Sequence, residues 1–395
     1  MVVTGECRLL HTCEMCEFNN ETDCKADKNE HNRWLVNKRM NEIKHKLIVG
    51  SNKGGVGKST VTTNLAIALQ ESGYSVGLAD ADLHGPNIPK LLQAENVRLK
   101  STDVGIDPYE TSNGLKVASL GFLIDDPNMH IAWRDAVKYD FIIELLGNIN
   151  WGPLDYLLFD LPPGTGNEQI TIIDFIGEVD GAVVVTTPQD LAILDARKMI
   201  SFSRDSNVPI VGVIENMSTM TCPHCEKDID VFKKGGGKNL AEELVLPYLG
   251  SIPLDGEIVA NSDNGQPVVL SRPDSVAAKA FMKLAENCHK FLNPEALSKA
   301  YTFALNAHKD QKRDSGDPYL IHPVAVADIL SDLKLDSATI ATGLLHDTIE
   351  DTNITYSNVK EEFGKEVADL VAVSYTHLRA HETLRYLVCR LLLEK

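Results

Sequence analysis

Leu47-Ile48-Val49-Gly50-Ser51-Asn52-Lys53-Gly54-Gly55-Val56-Gly57-Lys58-Ser59-Thr60 is the stretch that decides the fold. A short aliphatic run with the length of a buried strand leads straight into a glycine-rich turn, and a helix-like segment follows over residues 60–72. Glycines let consecutive backbone N–H groups turn inward around phosphate oxygens, and the start of a helix adds partial positive charge. Gly54, Gly55, Val56, Gly57, Lys58, Ser59 and Thr60 would form the cradle. Lys58 is placed to neutralise the β- and γ-phosphates, and the Ser59 hydroxyl to ligate Mg²⁺. Asn52 stands where such loops usually have their first glycine. Asn tolerates left-handed backbone better than most residues, so the turn is expected to survive. The bland alternative is a glycine-rich turn that binds nothing, and the whole matched run argues against it.

Outward from this loop, short apolar runs at residues 76–79, 117–120, 156–159, 182–185 and 210–214 alternate with helix-like segments such as 190–203. That alternation predicts an α/β fold, a parallel sheet with helices on both faces. Asp80, Asp82 and Asp160 each fall at the end of a predicted strand, where open α/β sheets bind ligands. After residue 293 only helices are expected, with breaks at Gly316–Pro318 and at Pro323.

The chain has 395 residues, enough for two or three domains. Lys plus Arg number 38 against 56 Asp plus Glu, a formal charge of −18. Residues 47–292 carry 32 acids and 19 bases, net −13. Such a surface repels nucleic acid and anionic lipid, so neither is expected as a partner. There is no long apolar run and no basic-then-apolar leader, which predicts a cytoplasmic chain. Cys7, Cys13, Cys16 and Cys24 cluster in a polar segment that cannot build a core of its own. Cys222 and Cys225 form a Cys-x-x-Cys pair, a spacing that suggests metal or redox chemistry more than disulfides.

The extra lysine of the loop, Lys53, resembles the deviant Walker A motif of the MinD/ParA/nitrogenase iron-protein class of P-loop NTPases (SIMIBI type). The resemblance implies an ATP-dependent homodimer in which Lys53 reaches the other subunit's nucleotide. Leu78-Ala79-Asp80-Ala81-Asp82 resembles that class's switch I, with Asp82 orienting the attacking water and Asp80 nearer the metal. Leu157-Leu158-Phe159-Asp160-Leu161-Pro162-Pro163-Gly164 resembles Walker B with switch II, with Asp160 holding Mg²⁺. The catalytic set is therefore Lys53, Lys58, Asp82 and Asp160.

Thr187-Pro188-Gln189-Asp190, Val213-Ile214-Glu215-Asn216-Met217-Ser218, Cys222-Pro223-His224-Cys225, Gly235-Gly236-Gly237 and Leu249-Gly250-Ser251-Ile252-Pro253-Leu254-Asp255 are similar to the Mrp/ApbC (Nbp-like) family over about residues 45–292. That resemblance implies an ATPase that assembles an iron–sulfur cluster, expected to be 4Fe-4S, and transfers it to apo-proteins, with Asn216 reading the adenine. Cys222 and Cys225 supply two soft thiolates per chain, so a cluster bridging a symmetric dimer is the economical reading. Zinc on the same four thiolates is the alternative. Cys7, Cys13, Cys16 and Cys24 are left between a second cluster and a zinc- or oxidant-sensitive tail.

Residues 294–373 resemble the HD domain of Rel/SpoT alarmone hydrolases, through Ala304-Leu305-Asn306-Ala307-His308, Lys312-Arg313, Pro318-Tyr319-Leu320-Ile321-His322-Pro323 and Leu344-Leu345-His346-Asp347-Thr348-Ile349-Glu350-Asp351. The resemblance implies Mn²⁺ on His322, His346 and Asp347, water assisted by Glu350 and Asp351, and Arg313 against a guanine. A further aspartate ligand expected downstream is missing, so the site is read as vestigial and little hydrolysis is expected. Residues 374–395 depart from the pattern and resemble a translated sequencing adapter, with an amphipathic helix as the alternative. The expected division is an extension over 1–44, the ATPase over 45–292, a truncated helical HD-type fragment over 293–373 and the tail. Two other readings stand beside the cluster carrier: a ParA/MinD-type positioning ATPase and a Mn-dependent (p)ppGpp hydrolase.

Overall fold

The structure is a computed structural model describing residues 28–83, 85–102, 105–122, 135–222, 225, 227–292, 295–309, 311–312, 318–332 and 337–378. Cys7, Cys13, Cys16, Cys24, His224 and Arg313 lie outside the described residues, as do residues 379–395. The chain divides into two compact units between Cys288 and His289.

The first unit contains the strands β1 (Ile43–Gly50), β2 (Val76–Asp80), β3 (Lys100–Thr102), β4 (Gly105–Asp107), β5 (Tyr109–Glu110), β6 (Lys116–Ser119), β7 (Leu154–Asp160), β8 (Gly181–Thr186), β9 (Ile210–Glu215), β10 (Met220–Thr221), β11 (Asp228–Ile229) and β12 (Tyr248–Ser251). Eight of these form one sheet in the order β12-β9-β8-β1-β7-β2-β6-β5. Every pairing in it is parallel except β5 with β6 at the edge. All five residues of β2 and all six of β8 and of β9 are buried, so both faces of the sheet are covered. The helix Lys58–Glu71 packs on β2 and β7, and Asp190–Asp205 packs on β8. The expected sheet needs two amendments. β12 closes one edge, and the antiparallel β5 closes the other.

The residues ahead of His45 have too few aliphatic side chains for a core of their own. Those described instead join the main one. Helix Lys28–Met40 buries Leu35, Val36 and Met40, and Arg39 donates from Nε to the Gly147 carbonyl at 3.3 Å.

The second unit is helical: Glu295–Ala307, Ile321–Asp332, Ser337–Leu345, Thr348–Asp351 and Tyr356–Leu378. Its core is built from Ala300, Ala304, Leu344, Leu345, Val359 and Val371. Pro323, read as a break, instead lies in the first turn of Ile321–Asp332. Helical N–H groups there have no partner within the helix, so proline's missing donor costs nothing. The last helix is kinked at Gly364 (φ 83°, ψ 171°) and continues without interruption across position 374.

Candidate functional site

Register brings the carboxylates together. Val49 pairs with Asp160 across β1 and β7, and Asp80 pairs with Asp160 across β2 and β7, so both strands end beside the glycine-rich loop. Within that loop Gly55 (φ 82°) and Gly57 (φ 80°) take the left-handed backbone. Asn52 does not, which corrects the expected reason for its tolerance: its side-chain amide donates to Asp195 Oδ1 at 3.3 Å and ties the loop to the helix Asp190–Asp205.

Asp160 is the hub. Lys58 Nζ stands 2.7 Å from its Oδ2, the Ser59 hydroxyl donates to the same oxygen at 2.6 Å, and the Thr62 hydroxyl reaches Oδ1 at 2.6 Å. Asp80 is fully buried and accepts from the Ser119 hydroxyl at 2.8 Å. Burial above all, and then neighbouring Asp160, push its carboxyl up to about 8. Asp82 accepts from the Gly85 N–H at 3.2 Å.

A cleft of about 490 Å³ opens over the loop. Lys53, Gly54, Gly55, Gly57, Lys58, Ser59, Thr60, Asp82 and Asn216 line it, and Pro253, Leu254 and Asp255 form a wall. Asp82 thus faces the cleft, while Asp80 and Asp160 stand behind it. Lys53 is half-buried at its lip. Asn216, expected against the base, donates from Nδ2 to the Val56 carbonyl at 2.8 Å.

Cys222 and Cys225 sit where the short antiparallel strands β10 and β11 turn back on each other, and the Cys222 N–H donates to the Lys227 carbonyl at 2.9 Å. Cys225 is exposed, Cys222 is half-buried, and neither is in a disulfide. The segment carrying them starts directly after Glu215. That buried carboxylate accepts from the N–H of Gly235 at 3.1 Å and of Gly237 at 2.7 Å, so one side chain holds both ends of the loop.

In the second unit His322, His346 and Asp347 bring one ligand atom each within 4.8 Å of one another. His346 Nδ1 faces the Gly343 carbonyl at 2.8 Å, which leaves Nε2 turned toward Asp347, 2.9 Å from its Oδ1. Burial disfavours both charges. The pairing outweighs it, raising the His346 imidazole and lowering the Asp347 carboxyl. Tyr319, stacked on His308 with centroids 4.8 Å apart, sets its hydroxyl against Asp347 and Asp351. Glu350 and Asp351 are exposed.

A family model described as the NUBPL iron-transfer P-loop NTPase matches residues 42–289. The chain belongs to that family. Similar proteins named iron-sulfur cluster carrier protein include one from Methanocaldococcus jannaschii, 47% identical over 64% of this chain and 86% of its own. Another, from Methanococcus maripaludis, is 43% identical over 69% of this chain and 93% of its own. A solved nucleotide-binding protein from Archaeoglobus fulgidus, in complex with ADP, is 36% identical and gives a TM-score of 0.53 over 59% of this chain and 91% of that one. A second model, of the HD domain, matches residues 300–384. No helix among the described residues is long and apolar enough to cross a membrane.

Four residues that the structure brings into these sites are absent from the expected ones: Thr62, Ser119, Glu215 and Tyr319. Thr62 lies one helical turn after Lys58 and was within reach of a periodicity argument. Ser119 and Glu215 act only through strand order and loop closure, which have no local signal.

Proposed function

We propose that this chain is an ATP-hydrolysing carrier that assembles an iron–sulfur cluster between two copies of itself and passes it to apo-proteins. The observation that carries this reading is a Cys-x-x-Cys hairpin rooted beside a phosphate-binding cleft in one compact unit. Relatives named as cluster carriers support it. Gly54, Gly55, Val56, Gly57, Lys58, Ser59 and Thr60 cradle the phosphates, and Lys58 exchanges Asp160 for the β- and γ-phosphates. The close approach of Ser59 and Asp160 fits them to hold Mg²⁺, which would supply charge neutralisation at the phosphates. Asp82, which is buried but lines the cleft, orients the attacking water, and Lys53 at the lip completes the partner copy's site. Two Cys222/Cys225 pairs give four thiolates, the set a 4Fe-4S cargo requires. Closing the dimer over ATP and loosening it after hydrolysis would hold and then release that cargo.

The test is iron and acid-labile sulfide per dimer after anaerobic reconstitution, with Cys7, Cys13, Cys16 and Cys24 replaced by Ser. The same protein carrying Cys222→Ser/Cys225→Ser is the comparison. A cluster in the first and none in the second supports the reading. Zinc without sulfide, or no cluster in either, removes the cargo.

The second unit favours a separate reading on one observation, its converging His322, His346 and Asp347. Imidazole and carboxylate donors suit a divalent cation such as Mn²⁺ there.

A further inference from the structure

The loop that holds the phosphates and the hairpin that carries the thiols meet at one side chain. Asn216 donates from Nδ2 to the Val56 carbonyl at 2.8 Å, and a Cβ built on Gly57 would stand 2.4 Å from that nitrogen. The Val56 carbonyl and the Gly57 N–H belong to the same planar trans peptide and point in opposite directions. Holding the carbonyl toward Asn216 therefore aims the Gly57 N–H away from it, and Gly57 lines the cleft. An anion drawn to that N–H polarises the peptide and strengthens the bond on its far side.

Asn216 is also the first residue of the hairpin segment. Its own N–H donates to the Thr186 carbonyl at 2.7 Å, which fixes it to β8. Met217 follows at φ 53°, a left-handed backbone held by a bulky residue. The stem is then tied to the cleft wall, with the Ser218 N–H donating to the Ile252 carbonyl at 3.0 Å and the Leu254 N–H to the Thr219 carbonyl at 3.1 Å. Cys222 lies three residues beyond Thr219.

We propose that Asn216 is a positioning residue that transmits the state of the phosphate loop to the Cys222/Cys225 hairpin of its own chain. Nucleotide phosphate sets the Val56–Gly57 peptide, the peptide sets Asn216, and the strained Met217 turns that setting into the aim of the thiols. The proposal rests on the carrier reading only for what the thiols hold. The linkage is reciprocal: whatever the hairpin binds changes nucleotide affinity by the factor with which nucleotide changes its binding.

The test is the rate at which N-ethylmaleimide labels Cys225 in the full reduced chain, followed by peptide mapping, with and without Mg-ADP. Occupancy is set to saturation for each variant from its own calorimetric titration, so a loss of affinity does not masquerade as a loss of coupling. The native rate is expected to change about fivefold with nucleotide. In Asn216→Ala, and in Asn216→Asp, which keeps the volume and loses the donor, the ratio should fall to one. Met217→Gly adopts the same backbone without strain and should lower the ratio while leaving the Asn216 donor in place. A native ratio near one overturns the proposal, as do variants that keep the native ratio. A ratio that grows with protein concentration assigns the effect to pairing of two copies and overturns it as well. Iron and sulfide content plays no part in this assay, so failure of the carrier reading is seen separately.

Discussion

Gly55 and Gly57 offer a matched pair for measuring what the contact with Asn216 is worth. Both sit in the left-handed region, at φ 82° and 80°. A Cβ on Gly55 meets nothing within 4 Å, whereas one on Gly57 meets Asn216 Nδ2 at 2.4 Å. Left-handed backbone costs a non-glycine residue about 1–2 kcal/mol, so that is the expected penalty of Gly55→Ala. Gly57→Ala carries the same strain and must also displace Asn216 from Val56. Losing that buried hydrogen bond adds about 1–2 kcal/mol, for a total of about 3 kcal/mol. All three tryptophans, Trp34, Trp133 and Trp151, precede residue 288, so urea unfolding followed by tryptophan fluorescence reports on the first unit alone. In an Asn216→Ala background the two glycine variants should cost the same, because nothing is left to displace. Equal costs in the native background, or a gap that survives removal of Asn216, would refute the reasoning.

Asp80 titrates near 8 in the folded chain, so between the ordinary carboxylate range and pH 8 the folded state holds a proton that the unfolded chain has released. Stability measured without nucleotide or metal should therefore fall as pH rises through that window, and Asp80→Asn should flatten the slope. Replacing Glu215 by Gln keeps the volume but offers one acceptor to two N–H groups, that of Gly237 buried and that of Gly235 partly so. The expected loss is about 1–3 kcal/mol in urea unfolding. In the second unit a cation at His322, His346 and Asp347 must displace the proton that pairing favours on His346. Mn²⁺ binding followed by electron paramagnetic resonance should accordingly tighten as pH rises from 6 to 8, and His346→Ala should remove it.

What was legible in the sequence was local. The phosphate loop, Asp80, Asp82, Asp160 and the Cys-x-x-Cys pair each lie within a few residues of the strand that positions them, so a short window was enough. Parallel strands announced themselves as unbroken aliphatic runs because both of their faces are covered. The relations between windows were not legible. Ser119 reaches Asp80 only because β6 lies beside β2, and Glu215 closes its loop only because residues 235–237 return to it. The sequence suggests a backbone reason for Asn52, while the structure uses its side-chain amide. Pro323 reads as a break in the sequence because composition alone does not place a proline within a turn.

The closed base of the 216–235 segment has a consequence for engineering and for divergence. A loop whose two ends are held by one carboxylate pays its closure entropy at the root, and that entropy grows only slowly with length. The tip between Met220 and Lys233 is therefore a cartridge. Hairpins with other cysteine spacings, or of other lengths, can be grafted there while Glu215, Asn216 and Gly235–Gly237 keep the root of the loop and the cleft beside it intact. A family built on such a root can vary the hairpin without rebuilding the glycine-rich loop beneath it.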